Sequence, residues 1–88
     1  MATTPATYAN LLHHMIPEAY NGDQNLEDFI VDCRRFFEIS KIEGEIQSIL
    51  VKGFISKELI AIYESVDSKI TNFEERLKIA FQKPSSLI

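Results

Sequence analysis

The 88-residue sequence has no tryptophan, one cysteine, and only three glycines and three prolines. A single thiol, Cys33, excludes an internal disulfide and any metal cluster built on several cysteines. It is compatible with a reducing compartment. Gly22, Gly44 and Gly53 stand too far apart for a phosphate-cradling loop, which needs a glycine-rich turn after a strand and a closing Lys-Ser pair. Positive charge is also scarce: nine Lys and Arg face thirteen Asp and Glu, for a net charge of −4, and only Arg34 and Arg35 are adjacent. Direct binding of nucleic acid depends on clustered cations and is not expected. No apolar run approaches the ~20 residues of a membrane span, and MATTPATYANLLHHM lacks the charged start and apolar centre of a signal peptide. A cytoplasmic protein without membrane contact is expected.

What is present suits a folded domain: 45% hydrophobic and 25% charged residues, the balance of an ordinary globular chain. A chain of this length forms one domain and buries only about 60–65% of its unfolded surface, too little for a deep, water-excluding catalytic pocket. Residues 1–23 hold Pro5, Pro17 and Asn21-Gly22 without a sustained period. They read as an extended arm with one short helical turn around Tyr8–His13.

From there the pattern is helical. Leu26, Phe29, Ile30, Cys33, Phe36 and Phe37 recur at three and four residues and define a stripe on a helix over 25–39, capped by Asn25 or Asp23. Ser40-Lys-Ile-Glu43 has the form of a capping box, which predicts a second helix from Ser40 to Gly53 with Ile42, Ile46, Ile49, Leu50 and Val51 as its apolar face. Ser56 is placed to cap a third helix bearing Leu59, Ile62, Tyr63, Val66 and Ile70, interrupted near Asp67-Ser68. Thr71-Asn-Phe-Glu74 is another box, opening a fourth helix with Phe73, Leu77, Ala80 and Phe81 inward and Pro84 ending it. The expectation is an all-α fold: a compact bundle of four to five helices over 24–83, an N-terminal arm over 1–23 and a tail over 84–88.

Catalytic chemistry is hard to find. His13 and His14 are adjacent and point about 100° apart on a helix, so they do not chelate one ion, and no metal or cofactor is expected. Cys33 lies on the apolar stripe, where a nucleophile's activating base has no place and a buried thiol does. Asp28 and Asp32, four apart, read as a solvated face with Asp32 in reach of Arg35. Glu74-Glu75-Arg76-Lys78 reads as a charged outer face. An enzyme is not expected.

Pro17, Tyr20-x-Gly22 and Asn25-Leu26-x-x-Phe29-Ile30-x-x-Cys33-x-x-Phe36-Phe37 together resemble the opening of the capsid N-terminal lobe in Gag proteins of Ty3/gypsy retrotransposons. An Ile-rich second helix ending in Leu50-x-x-Gly53 and a closing Thr71-Asn-Phe73-x-x-x-Leu77-x-x-x-Phe81 continue the resemblance in the same order, from Ile16 to Phe81. Two positions depart from the pattern. Gly53-Phe54-Ile55 replaces the family's Gly-x-Ala, and Phe73 stands where a tryptophan is common. The resemblance implies a structural protein whose partner is itself, assembling into virus-like particles. Domesticated relatives such as the neuronal protein Arc imply an alternative, an adaptor lobe that binds short peptides in a hydrophobic groove. By spacing, Phe29 and Phe36 match two aromatic positions of that groove, and Phe81 matches a third more loosely.

Overall fold

The computed structural model describes residues 16–82. Asn25 opens the first helix, α1 (Leu26–Ser40), by accepting the backbone N–H of Asp28 on its side-chain oxygen at 3.0 Å. Glu27 and Asp28 add favourable charge at the positive end of the helix dipole. The stripe read from the sequence faces inward: Phe29, Ile30, Cys33 and Phe37 are buried, while Leu26 and Phe36 pack at the margin of the core.

The capping box expected at Ser40 does not form. α1 runs through Ser40, and Lys41 takes a left-handed conformation (φ 58°) with its N–H on the carbonyls of Glu38 and Phe37. Ile42 follows by donating to Phe37 at 2.9 Å, so the last carbonyls of α1 are satisfied as in a Schellman-type ending. Gly44, expected inside the second helix, instead forms the turn before it at φ 79°. α2 (Ile46–Leu50) is therefore only one turn and a half long, and it passes straight into a 3-10 turn over Val51–Phe54 that contains Gly53.

Ser56 occupies the N-cap position of α3 (Lys57–Glu64), but its side chain makes no capping bond. Before α4 (Phe73–Phe81) the cap is Asn72 rather than Thr71, accepting from the N–H of Glu75 at 3.1 Å. Asparagine outranks threonine at this position, and the box shifts by one residue. α4 touches α1, α2 and α3. Its Phe73 meets Phe37 edge-on with ring centroids 5.1 Å apart, and its Leu77 is completely buried. The described residues thus form an all-α bundle of four helices without a strand.

The expected helical turn at Tyr8–His13 and the tail over 84–88 lie outside the described residues, as do all arm residues before Ile16. The end of the arm is docked. Pro17 and Tyr20 are buried, Tyr20 donates its N–H to Phe54 at 2.8 Å, and its carbonyl accepts from Ser56 at 2.9 Å. These bonds make an isolated parallel bridge between Tyr20 and Ile55. The chain then turns through Gly22 at φ 96°, a conformation that favours glycine. Asn21 and Gln24 hold the turn with side-chain bonds to Asp23 N–H and Asn21 N–H, each 2.9 Å.

Two cations tie the helices together. Arg34 of α1 grips Glu74 of α4 with both ends of its guanidinium, Nε at 3.0 Å and a terminal nitrogen at 2.7 Å. Arg76, expected on a charged outer face, turns inward. It donates to the carbonyls of Tyr63, Asp67 and Ile70 at 2.9–3.1 Å and lies 4.9 Å from the centre of the Tyr63 ring. Tyr63 is buried and donates its hydroxyl to the Ser48 carbonyl of α2 at 2.7 Å.

Tyr63→Phe keeps the ring under Arg76 and removes only the bond to Ser48, so urea unfolding should show a loss of about 1 kcal/mol. The Arg34 hydrogen bond, followed by its charge, holds the Glu74 carboxyl below the usual range against the opposing effect of burial. A depressed carboxylate stabilises the fold above its unfolded pKa and loses that contribution as pH falls through the folded pKa. The advantage of the native chain over Glu74→Gln should therefore be complete at neutral pH and vanish on acidification below the ordinary glutamate range. Equal sensitivity of the two proteins to acid would contradict this.

Candidate functional site

The three groove residues suggested by the resemblance are placed differently from one another. Phe29 is buried and Phe81 half-buried, and both lie against the same ring: Tyr20 sits 5.1 Å from Phe29 and 5.4 Å from Phe81. The arm's own tyrosine thus fills the space between α1 and the end of α4. Phe36 belongs to a second aromatic group, edge-on to Phe54 at 5.4 Å and to Phe37 at 6.0 Å. The backbone bonds of Tyr20 to Phe54 and Ser56 run between the two groups. Beside Tyr20 and Phe81 remains an open depression of about 260 Å3, rimmed by Gly22, Gln24, Leu26 and Glu27. Tyr20 and Phe54 complete these two aromatic groups, although helical spacing singles out neither of them. The signal for Tyr20 was its place before Asn-Gly, where a turn folds it back.

Acid-base and nucleophilic chemistry gain no support from the geometry. Cys33 is completely buried in the core, and burial, with the nearby Asp32 carboxylate, pushes its thiol up to about 12. Thiolate is the reactive form, so the side chain is inert while the fold holds. Asp28 and Asp32 lie at the surface beside Glu18 and the edge of Phe29, around a hollow of about 210 Å3. Asp32 meets Arg35 at 3.5 Å as expected, in an exposed pair. Among the described residues no group of three or more His, Cys, Asp and Glu side chains is arranged to hold a metal ion. None of the described helices is long and apolar enough to cross a membrane. The His13-His14 pair lies outside the described residues.

The most unusual surface lies on α2. The expected inward face of Ile46, Ile49 and Leu50 points out, with exposures of 49%, 59% and 38%. Of the stripe predicted there, only Val51 is buried and Ile42 partly packed. The helix presents its polar side to the protein instead. Gln47 donates to the Ile42 carbonyl at 2.8 Å, and Ser48 receives the Tyr63 hydroxyl through its backbone. Ile62 of α3, also expected inside, is likewise exposed. Between α2, α3 and the link to α4 lies a depression of about 320 Å3 floored by Tyr63 and Arg76 and edged by Glu45, Ile49, Lys52 and Glu64.

No protein-family model, no curated protein and no solved structure matches the chain.

The buried thiol makes a direct prediction. A thiol-reactive reagent at pH 8 should label Cys33 no faster than the chain unfolds, and rapid labelling in mild denaturant should coincide with loss of helix. Fast stoichiometric labelling of the native protein would show an accessible, activated thiol and return catalysis to consideration.

Proposed function

We propose that this chain is a self-associating structural lobe of the Gag-capsid type. The carrying observation is the inverted helix α2: three large aliphatic side chains at i, i+3 and i+4 face water, while the polar side of the same helix is bonded to the protein. Single exposed aliphatic residues are ordinary on a soluble protein, but a contiguous stripe marks an interaction surface. The order of sequence motifs from Pro17 to Phe81, and an all-helical fold with an inert thiol, support the same reading. One such small face gives a weak contact, and shells gain their strength from many weak contacts made at once.

The alternative, a lobe that binds short peptides, draws support from the aromatic cluster of Tyr20, Phe29 and Phe81 and its adjoining depression. It requires an incoming peptide either to lie beside Tyr20 or to displace it, since the ring already covers Phe29. Self-association needs no such displacement, which favours it.

Sedimentation velocity of the purified 88-residue chain from micromolar to millimolar concentration tests the leading reading. The weight-average mass should rise with concentration, and negative-stain images at the upper end should show assemblies. A strict monomer over the whole range, with no assemblies, overturns it.

A further inference from the structure

Resting on that reading, we infer that two copies of the chain pair antiparallel through α2 and the turn that follows it, about a two-fold axis near Ile49. The helical run from Glu45 to Gly53 carries two neighbouring stripes on its outer side. Glu45, Ile49 and Lys52 form one, at i, i+4 and i+7; Ile46, Leu50 and Gly53 form the other with the same spacing. Residues four apart share a face of the α-helix, and residues three apart eclipse in the 3-10 turn, so both stripes continue from α2 through Lys52 and Gly53. Glu45, Ile49 and Lys52 all edge the same depression, while Ile46 and Leu50 are exposed beside it. A Cβ added at Gly53 would meet nothing within 4 Å, so the far end of the face is open to a close-approaching backbone.

The charges choose the occupant. Glu45 lies at one end of the face and Lys52 at the other, about 11 Å apart along the axis at 1.5 Å per α-helical and 2.0 Å per 3-10 residue. Lys52 is anchored at its end by Glu64 at 3.1 Å. Among the described residues Glu45 is in no salt bridge. A uniformly basic or uniformly acidic partner would meet a like charge at one end. A second copy laid antiparallel brings Glu45 of each chain to Lys52 of the other, whose ammonium holds Glu64 of its own chain and has further protons to donate, with the two Ile49 side chains at the centre. Contacts related by a two-fold axis are self-complementary in this way. Ile46 and Leu50 then cover each other, and the exposed apolar stripe is removed from water.

The test is a charge exchange in the whole chain, read by sedimentation and with helix content checked by circular dichroism. Glu45→Lys alone and Lys52→Glu alone each place like charges opposite one another twice per dimer and should weaken association about tenfold. The triple variant Glu45→Lys/Lys52→Glu/Glu64→Lys, in one chain, should restore it, because it reverses the pair with residue 64 together with the charges that oppose each other across the axis. Ile49→Lys, at an exposed position that leaves the core untouched, should abolish dimer formation. Association of the native chain that ignores Glu45→Lys and Ile49→Lys overturns this pairing and leaves self-association through another face. Weakening by both single charge variants without rescue by the triple variant overturns the antiparallel geometry. A native chain that never associates overturns both this pairing and the proposed function.

Discussion

The Tyr63 side chain is the point at which three helices meet, and the arrangement of the lobe depends on it. Its ring is buried under the Arg76 guanidinium of α4, and its hydroxyl ends on a carbonyl of α2. Burial raises the phenol's pKa while the charge of Arg76 opposes the rise, and the net shift is upward. The hydroxyl therefore stays protonated and keeps donating. Arg76 donates to the Tyr63 carbonyl in the last turn of α3 and to the Asp67 and Ile70 carbonyls in the link that follows, adding a second bond at Tyr63 and Asp67, which also accept the N–H groups of Val66 and Ile70. The irregular link from Val66 to Thr71 is thereby given a fixed path without regular structure of its own. Arginine suits the position because a planar fork with several donors can serve several carbonyls at once.

This same junction explains the orientation of α2. A helix of five residues has little intrinsic stability, since nucleation costs more than so few bonds return. Its orientation is set by what holds it, and here the holding groups are polar: the Ser48 carbonyl under Tyr63 and the Gln47 amide on Ile42. Val51, one residue beyond, supplies the apolar anchor. With the polar edge fixed inward, Ile46, Ile49 and Leu50 have only the outside left to them. The tyrosine of the arm plays a comparable part, since Tyr20 closes the gap between Phe29 and Phe81 and ties the arm to Ile55.

The sequence was a good guide where one helix carried its own evidence. α1 has fifteen residues, a long periodic stripe and Asn25 ahead of it, and its bounds and inward face could be read directly. The capping motif at Ser40 misled because a box requires the preceding helix to have ended, and α1 had not. Lys41 entered the left-handed region with no glycine to announce it. The Tyr20 bridge was illegible for another reason: a single pair of backbone bonds to a distant residue leaves no period in the sequence. Arg76 was misread as surface because three of its hydrogen-bond partners are backbone carbonyls, which sequence does not distinguish from any others. Of the groove, spacing alone placed Phe29 and Phe36 on one side of α1, but it could not say that the chain's own tyrosine would occupy the place beside the first.

An apolar stripe at helical spacing states that a face is to be covered, not by which chain. In α1 the cover is intramolecular, and burial of Phe29, Ile30, Cys33 and Phe37 completes it. In α2 the same spacing gives three side chains with no cover inside the lobe. Leaving such a stripe exposed lowers solubility, and turning it inward would strand the amide of Gln47 and detach Tyr63 from Ser48. Glu45 stands at one end of it and the Lys52–Glu64 pair at the other, the pattern on which the proposed pairing of two copies draws. The proposed contact between copies is small, and contacts of that kind gain strength when several are made at once. A short helix bound to its own protein by its polar edge is thus a means of presenting an apolar face without surrendering the fold.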